Sequence, residues 1–185
     1  TYARIRHVLI SSKDYLIAQL TGECVGDVAA CSTAGAMNIR NGQWDAELCE
    51  VAEIDMTILP HLHNPQDNIG TVTESAAQRT GFSAGTAVYA GIGDAGATTL
   101  ASGVSHPGQY NINIGTSGWI ATVSPEPFTD KPGAANLAFG VEEGFVNAVP
   151  FLNAGDVHKW VTGVFSDGDY AEAHQLIETS KPGSN

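Results

Sequence analysis

One carboxylate, Asp94, stands in the otherwise uncharged run GIGDAGATTL (91–100), with Gly93 before it and Gly96 two residues on. The apolar run TAVYA (86–90) precedes it, so the pattern predicts a strand that ends and a helix that begins at the aspartate. The plain reading is a helix N-cap, whose carboxylate accepts orphan backbone N–H groups. The chemical reading is a general base. On that reading the glycines remove bulk so that a substrate reaches the carboxylate, at the strand end where α/β folds bind ligands. The two readings are compatible, since a cap can serve as a base.

Two further stretches could bind an anion. In IGTSG (114–118), Gly115 allows close backbone approach, successive N–H groups form a concavity, and Thr116 and Ser117 add hydroxyl donors. The same residues would also suit a simple hairpin turn. In NAGDVHKW (153–160), Gly155 opens a helix and Lys159 follows one turn later, which gives nucleotide phosphates a place beside a helix N-terminus. The alternative there is a strand-to-helix turn with Asp156 in its first turn. No GxxxxGK[ST] loop and no GxSxG elbow occurs, which leaves neither a Walker nor a serine-hydrolase reading. His61 and His63 lie two apart in LPHLHNP (59–65) without a suitably spaced third ligand, so the histidines read as surface residues and no metal site is assigned.

The elements that must position these groups alternate between helical and extended patterns. Apolar spacing over 3–20 predicts a helix stopped at Thr21-Gly22, and Asp27 caps a short helical turn over 28–33. MNIRNGQW (37–44) predicts a hairpin around Asn41-Gly42, and Asp45 caps a helix over 46–54. The proline-flanked 59–65 reads as a surface loop. Strands are expected over 68–73, 86–92 (buried) and 144–152, a hairpin over 110–123, and helices over 74–81, 94–104, 154–165 and 169–180. The fold class is α/β, with Pro107-Gly108 as the expected domain boundary.

Composition narrows the partners. Twenty Asp and Glu against eight Lys and Arg leave a net charge of −12, which repels nucleic acid and anionic membrane surfaces. No apolar stretch reaches the length of a membrane span. Cys24, Cys31 and Cys49 are odd in number and form no CxxC pair, which reads as reduced thiols in a cytoplasmic protein. The chain starts TYARIRHVLI without a signal-peptide pattern and ends in the turn-like SKPGSN; both ends read as cut.

The order of the motifs is more specific than any one of them. KDYLIAQLTGE (13–23), DVAACSTAG (27–35), QWD (43–45), the LP of ILPHL (58–62), IGTVTESAAQRTG (69–81), GIGDAGA (91–97) and IGTSG (114–118) follow in sequence. In this the chain resembles the FGGY family of carbohydrate kinases, which includes xylulokinase, gluconokinase and glycerol kinase, most specifically from Lys13 to Gly118. The resemblance implies an actin-like ATPase (ribonuclease H-like) fold. Residues 1–106 would be the C-terminal part of the first, sugar-binding domain, and 107–185 the N-terminal part of the second, nucleotide-binding domain. It implies ATP and Mg2+ as cofactors and a small sugar or sugar acid as substrate, a xylulose-like sugar being favoured. It is also compatible with a homodimer. Asp94 aligns with the catalytic aspartate that takes the proton of the sugar hydroxyl, and so also touches substrate. Gly115, Thr116 and Ser117 match the second phosphate motif, and Gly155 and Lys159 match positions against ATP. No DxGT-like first phosphate loop and no glycine-rich adenine motif is present in these residues, so the resemblance is to the middle of the enzyme. Ala95 stands where glycerol kinase-like members carry a polar side chain, which disfavours glycerol. The alternative is a non-catalytic sensor of sugar or nucleotide on the same fold, which has no need of the base.

Overall fold

The structure, a computed structural model, describes residues 2–151, 153–181 and 183. Helix α1 (Ser12–Thr21) leads into strand β1 (Val25–Asp27) and the short helix α2 (Val28–Cys31). Next come β2 (Met37–Asn38), β3 (Gln43–Trp44), α3 (Ala46–Val51), β4 (His61–His63), β5 (Asn68–Thr71) and α4 (Glu74–Thr80). Strand β6 (Ala87–Tyr89) precedes α5 (Asp94–Ala101), and β7 (Tyr110–Ile114), β8 (Gly118–Ser124), β9 (Ala135–Ala138) and β10 (Phe145–Phe151) follow. Helices α6 (Gly155–Phe165) and α7 (Tyr170–Thr179) complete the order.

Local chemistry sets most boundaries. Ser11 and Asp14 form a capping box: the Ser11 hydroxyl accepts the Asp14 N–H and the Asp14 carboxylate accepts the Ser11 N–H. That box starts α1 at Ser12, not at residue 3 as the apolar spacing suggests. The preceding residues hold only a 3-10 turn, Tyr2–Arg4, and the Val8 N–H donates to the carbonyl of Ile58 at 2.8 Å. Gly22, at φ 89°, ends the helix. Asp27, Asp45, Thr73 and Asp169 cap α2, α3, α4 and α7 through their side chains, as acceptor residues ahead of helices do.

Three extended segments depart from the sequence pattern. Residues 61–63 form β4, parallel to β1 with Val25 opposite His61 and Asp27 opposite His63, where a loop was expected. Pro60 and Pro65 bound this strand and do not break it, since proline is tolerated outside a ladder. Leu62 packs against the buried cluster of Val28, Cys31, Met37 and Ala138. Strand β6 is three residues long, antiparallel to β5, with Ala87 and Tyr89 exposed. It is a half-solvated ribbon strand, not the buried strand expected over 86–92. Strand β9 has no counterpart in the sequence reading; its residues, ANLA, lack the β-branched and aromatic types that mark strands. It pairs antiparallel with β10 and its Ala138 joins the core cluster. The last residue of the strand expected over 144–152, and part of the turn expected at SKPGSN, lie outside the described residues.

The longer sheet has the order β7-β8-β10-β9. Among the described residues β7 has a strand on one side only, and its Tyr110, Ile112 and Ile114 are exposed. Two compact units emerge: residues 1–111 with 121–148, and residues 112–120 with 149–185. In the first, the core lies beneath α2, β1, β4 and β9. In the second, α6 and α7 pack together, with the rings of His158 and Tyr170 edge to face at 5.4 Å.

Candidate active site

Asp94 is the first residue of α5, and Gly93 takes the N-cap position with no side chain to cap. The expected cap role therefore passes to a residue that cannot fill it. Among the described residues the Asp94 carboxylate instead accepts only the N–H of its neighbour Ala95, at 2.8 Å through Oδ1. Its Oδ2 takes part in no hydrogen bond among the described residues, and the side chain is exposed. It lines a cleft of about 510 Å³ in the first unit. The start of α1 (Ile10, Ser11, Ser12, Lys13), the α2 region (Ala29, Ala30, Thr33), the Ile92–Gly96 junction and Leu137 of β9 form its walls.

The two glycines line this cleft beside Asp94, and their smallness also serves packing. A Cβ on Gly93 would stand 3.2 Å from the Cβ of Ala30 and 3.3 Å from its Cα, and a Cβ on Gly96 would overlap the Ile92 side chain. Their smallness lets the start of α5 press onto α2 and onto Ile92. That packing decides where Asp94 stands.

Behind the cleft lies an ion cluster. Lys13 Nζ is 2.6 Å from Asp14 Oδ1 and 2.8 Å from Asp27 Oδ2, and both carboxylates are fully buried. Asp27 Oδ2 has no aligned hydrogen bond, so its short contact with the ammonium counts as an ion pair. Each acid uses its other oxygen at a helix start: Asp14 Oδ2 accepts the Ser11 N–H, and Asp27 Oδ1 accepts those of Ala29 and Ala30. Burial alone would lower the Lys13 pKa; the bonds and charges of Asp14 and Asp27 outweigh it and hold the ammonium above its ordinary value. Burial, then the charges of Asp14 and Asp27, push the Cys31 thiol up to about 12.

The second unit holds the glycine-flanked turn. Residues 115–117 join β7 to β8 and are exposed. The Gly115 N–H donates to Ser117 O at 2.7 Å, closing the turn on itself. Ala154 and Gly155 donate their N–H groups to Thr116 O at 3.0 Å and Gly115 O at 2.8 Å, fixing the turn to the start of α6. A Cβ on Gly155 would sit 2.5 Å from Gly115 O, so only glycine allows this approach. The Ala154 N-cap gives α6 no side-chain acceptor. Lys159 lies exposed on α6, one turn beyond Gly155.

The structure thus brings Gly115, Thr116, Ser117 and Gly155 together, with Lys159 on the same helix, in the second unit, and places Asp94 in the first. Sequence reasoning missed Lys13. With the helix expected from residue 3, Lys13 falls inside it, and Asp27, fourteen residues on, is brought to it only by folding. Among the described residues, no group of three or more His, Cys, Asp or Glu could hold a metal ion, and no helix is long and apolar enough to cross a membrane.

Comparison with known proteins places this geometry. Residues 1–101 match the model of the N-terminal domain of the FGGY family of carbohydrate kinases. Over 166 residues the chain is 35% identical to an autoinducer-2 kinase of Yersinia enterocolitica, covering 88% of this chain and 31% of that protein. Over 190 residues it is 30% identical to a probable L-xylulose kinase of Pasteurella multocida, covering 100% of this chain and 38% of that one. The crystal structure of a xylulose kinase from Rhodospirillum rubrum superposes with a TM-score of 0.82 at 27% identity, covering 95% of this chain and 36% of that one. The fold is that of the actin-like ATPases. The chain spans about a third of the length of the curated relatives it matches.

Proposed function

Since the chain belongs to the FGGY family of carbohydrate kinases, we propose that it forms the central part of an ATP-dependent sugar kinase. On this reading residues 1–106 close the sugar-binding domain and residues 107–185 open the nucleotide-binding domain. The acceptor is a small sugar or sugar acid, with a xylulose-like ketose favoured by the relatives named as xylulose kinases.

The observation that carries the reading is Asp94: an exposed carboxylate on a cleft, with one oxygen on the Ala95 N–H and the other uncommitted. Its Oδ2 takes the proton of the sugar hydroxyl as that oxygen attacks phosphorus. The bond between phosphorus and the ADP oxygen breaks as the new one forms. Phosphoryl transfer asks chiefly for positioning and charge stabilisation, and one oriented carboxylate meets the first need. ATP, carrying Mg2+, would supply the phosphoryl group and the charge that neutralises it, since the described residues themselves offer no metal-binding group of three or more His, Cys, Asp or Glu. The exposed turn 115–117 suits an anion: Thr116 and Ser117 supply hydroxyl donors on a backbone fixed by Ala154 and Gly155, and the start of α6, which no side chain caps, adds its dipole against the charge of Asp156 in its first turn. Lys159 supplies positive charge on the same helix.

The test is a panel of pentuloses, hexuloses and gluconate, each offered with ATP and Mg2+ to the intact kinase that carries these residues. ADP release with one or a few sugars supports the reading. Sugar binding with no ADP release from any of them overturns it in favour of a sensor.

A further inference from the structure

We infer that Lys13 is a positioning residue for the sugar side of the cleft: by joining Asp14 and Asp27 it fastens the starts of α1 and α2 beneath the segment that presents Asp94. This rests on the kinase reading above and extends it to a residue outside the proposed chemistry.

Lys13 sits where a helix disfavours it, since the first turn of α1 presents the positive end of the dipole. Two fully buried carboxylates flank its ammonium at 2.6 and 2.8 Å. Buried charges of like sign are costly without a counter-ion, and removing one partner of such a group leaves the others uncompensated. Each carboxylate also holds a helix start, Asp14 through the capping box of α1 and Asp27 through the first N–H groups of α2. One ammonium therefore ties two helix ends together.

Those ends are walls of the Asp94 cleft, and the segment before Asp94 rests on them. A Cβ on Gly91 would meet the Lys13 stem at 3.7 Å, and Gly93 is pressed onto Ala30, whose N–H the Asp27 carboxylate holds. The chain from Gly91 to Asp94 thus rests on a lysine stem and on a helix turn which that same lysine secures. The ionisable groups facing the ammonium are Asp14 on α1, and Asp27 and Cys31 around α2; Asp94 lines the same cleft.

The experiment compares wild type with Lys13→Met, which keeps the stem and removes the charge, and with Lys13→Met/Asp27→Asn, which also removes one acid. In Lys13→Met the two carboxylates face each other without a counter-ion, so one takes up a proton at lower pH and both ionise at higher pH. The sugar kcat/KM of Lys13→Met should fall roughly tenfold at pH 8, within the range that sub-ångström to ångström misplacement costs, and recover to within about threefold at pH 6. The KM for ATP should not move. The double variant should stay within about threefold of wild type at both pH values, because an amide can keep the α2 bonds and donate to Asp14. In the same three proteins, amide hydrogen exchange over residues 92–97, compared with wild type at each pH, should rise in Lys13→Met at pH 8 alone. A Lys13→Met enzyme with wild-type kinetics and exchange at pH 8 overturns the inference, as does a loss that is equal at both pH values and unrelieved in the double variant. If Lys13→Met does not fold, the double variant decides: its failure to restore exchange and kinetics overturns the proposal. If wild type phosphorylates no sugar, the kinase reading fails, and the exchange pattern still decides the role of Lys13.

Discussion

The backbone N–H of Gly155 donates to the carbonyl oxygen of Gly115 at 2.8 Å, with no room between them for a side chain. A helix start and an exposed turn are thereby locked at one point. Gly155→Ala should break this lock. Alanine favours the helix by up to ~1 kcal/mol, but its methyl would press on a backbone carbonyl, which yields less readily than a side-chain tip. The expected result is a net loss of roughly 1–3 kcal/mol in denaturant melts together with a raised KM for ATP. A more stable variant with unchanged ATP kinetics would show that the lock is dispensable.

Thr116→Val isolates the hydroxyl at the tip of the same turn, since shape is kept and one donor is lost. A hydrogen bond to a charged group is worth about 1.5–3 kcal/mol, so kcat/KM for ATP should fall by roughly 10- to 100-fold. Sugar affinity, measured by calorimetry, should be nearly unchanged. Unchanged ATP kinetics would reduce the turn to a hairpin connection.

Asp94→Asn separates chemistry from folding. The amide oxygen can still accept the Ala95 N–H, which among the described residues is the only bond the carboxylate makes. Stability should therefore change by less than about 0.5 kcal/mol, as at an ordinary surface position. Turnover should fall by ~10²–10⁴-fold, the worth of a general base. Near-normal turnover in this variant would remove the chemical argument.

The Lys13 cluster sets a pH response. Lys13 and Cys31 both have folded pKa values raised above their ordinary ones, Lys13 from 10.5 and Cys31 from 9.0 to about 12. A raised pKa means that the folded state keeps its proton longer than the unfolded state does. That stability is fully present below the ordinary value and is lost as pH climbs through the raised one. Melting temperature should hold between pH 6 and 8 and decline from about pH 9 upward. Cys31→Ala should delay the start of the decline to above about 10.5, where Lys13 begins to contribute. Thermal melts across pH 6 to 12 on both proteins check this; identical profiles would refute the Cys31 share.

What could be read from the sequence followed the locality of the cause. Caps at Asp27 and Asp45, the Gly22 stop and the Asn41-Gly42 hairpin are decided within a few residues, and the sequence shows them directly. The start of α1 was misplaced because Ile5 and Val8 keep helical spacing while the capping box at Ser11 and Asp14 decides the matter. Strand β4 was hidden because its partner β1 lies far away in the chain, and β9 because small residues carry no strand signal. At the site, Asp94 stood out through its isolation among small residues. The packing role of Gly93 did not, since Ala30, which it meets, is remote in sequence. Lys13 was hidden for the same reason: Asp27 is brought to it by folding.

The exposed β7 edge bears on how the polypeptide behaves in solution. Tyr110, Ile112 and Ile114 are 60–69% exposed on a strand whose outer side carries no partner strand among the described residues. Such an edge is a template for another chain, and aromatic and branched side chains favour that pairing. The counterweight is the charge of −12, which makes two copies repel each other at neutral pH. Salt screens that repulsion within about 10 Å at 0.1 M, and acidification toward the isoelectric point near 4.6 abolishes it. Colloidal solubility is therefore a balance between one sticky strand and a dispersed anionic surface, and low ionic strength at neutral pH is the condition that keeps the molecules apart.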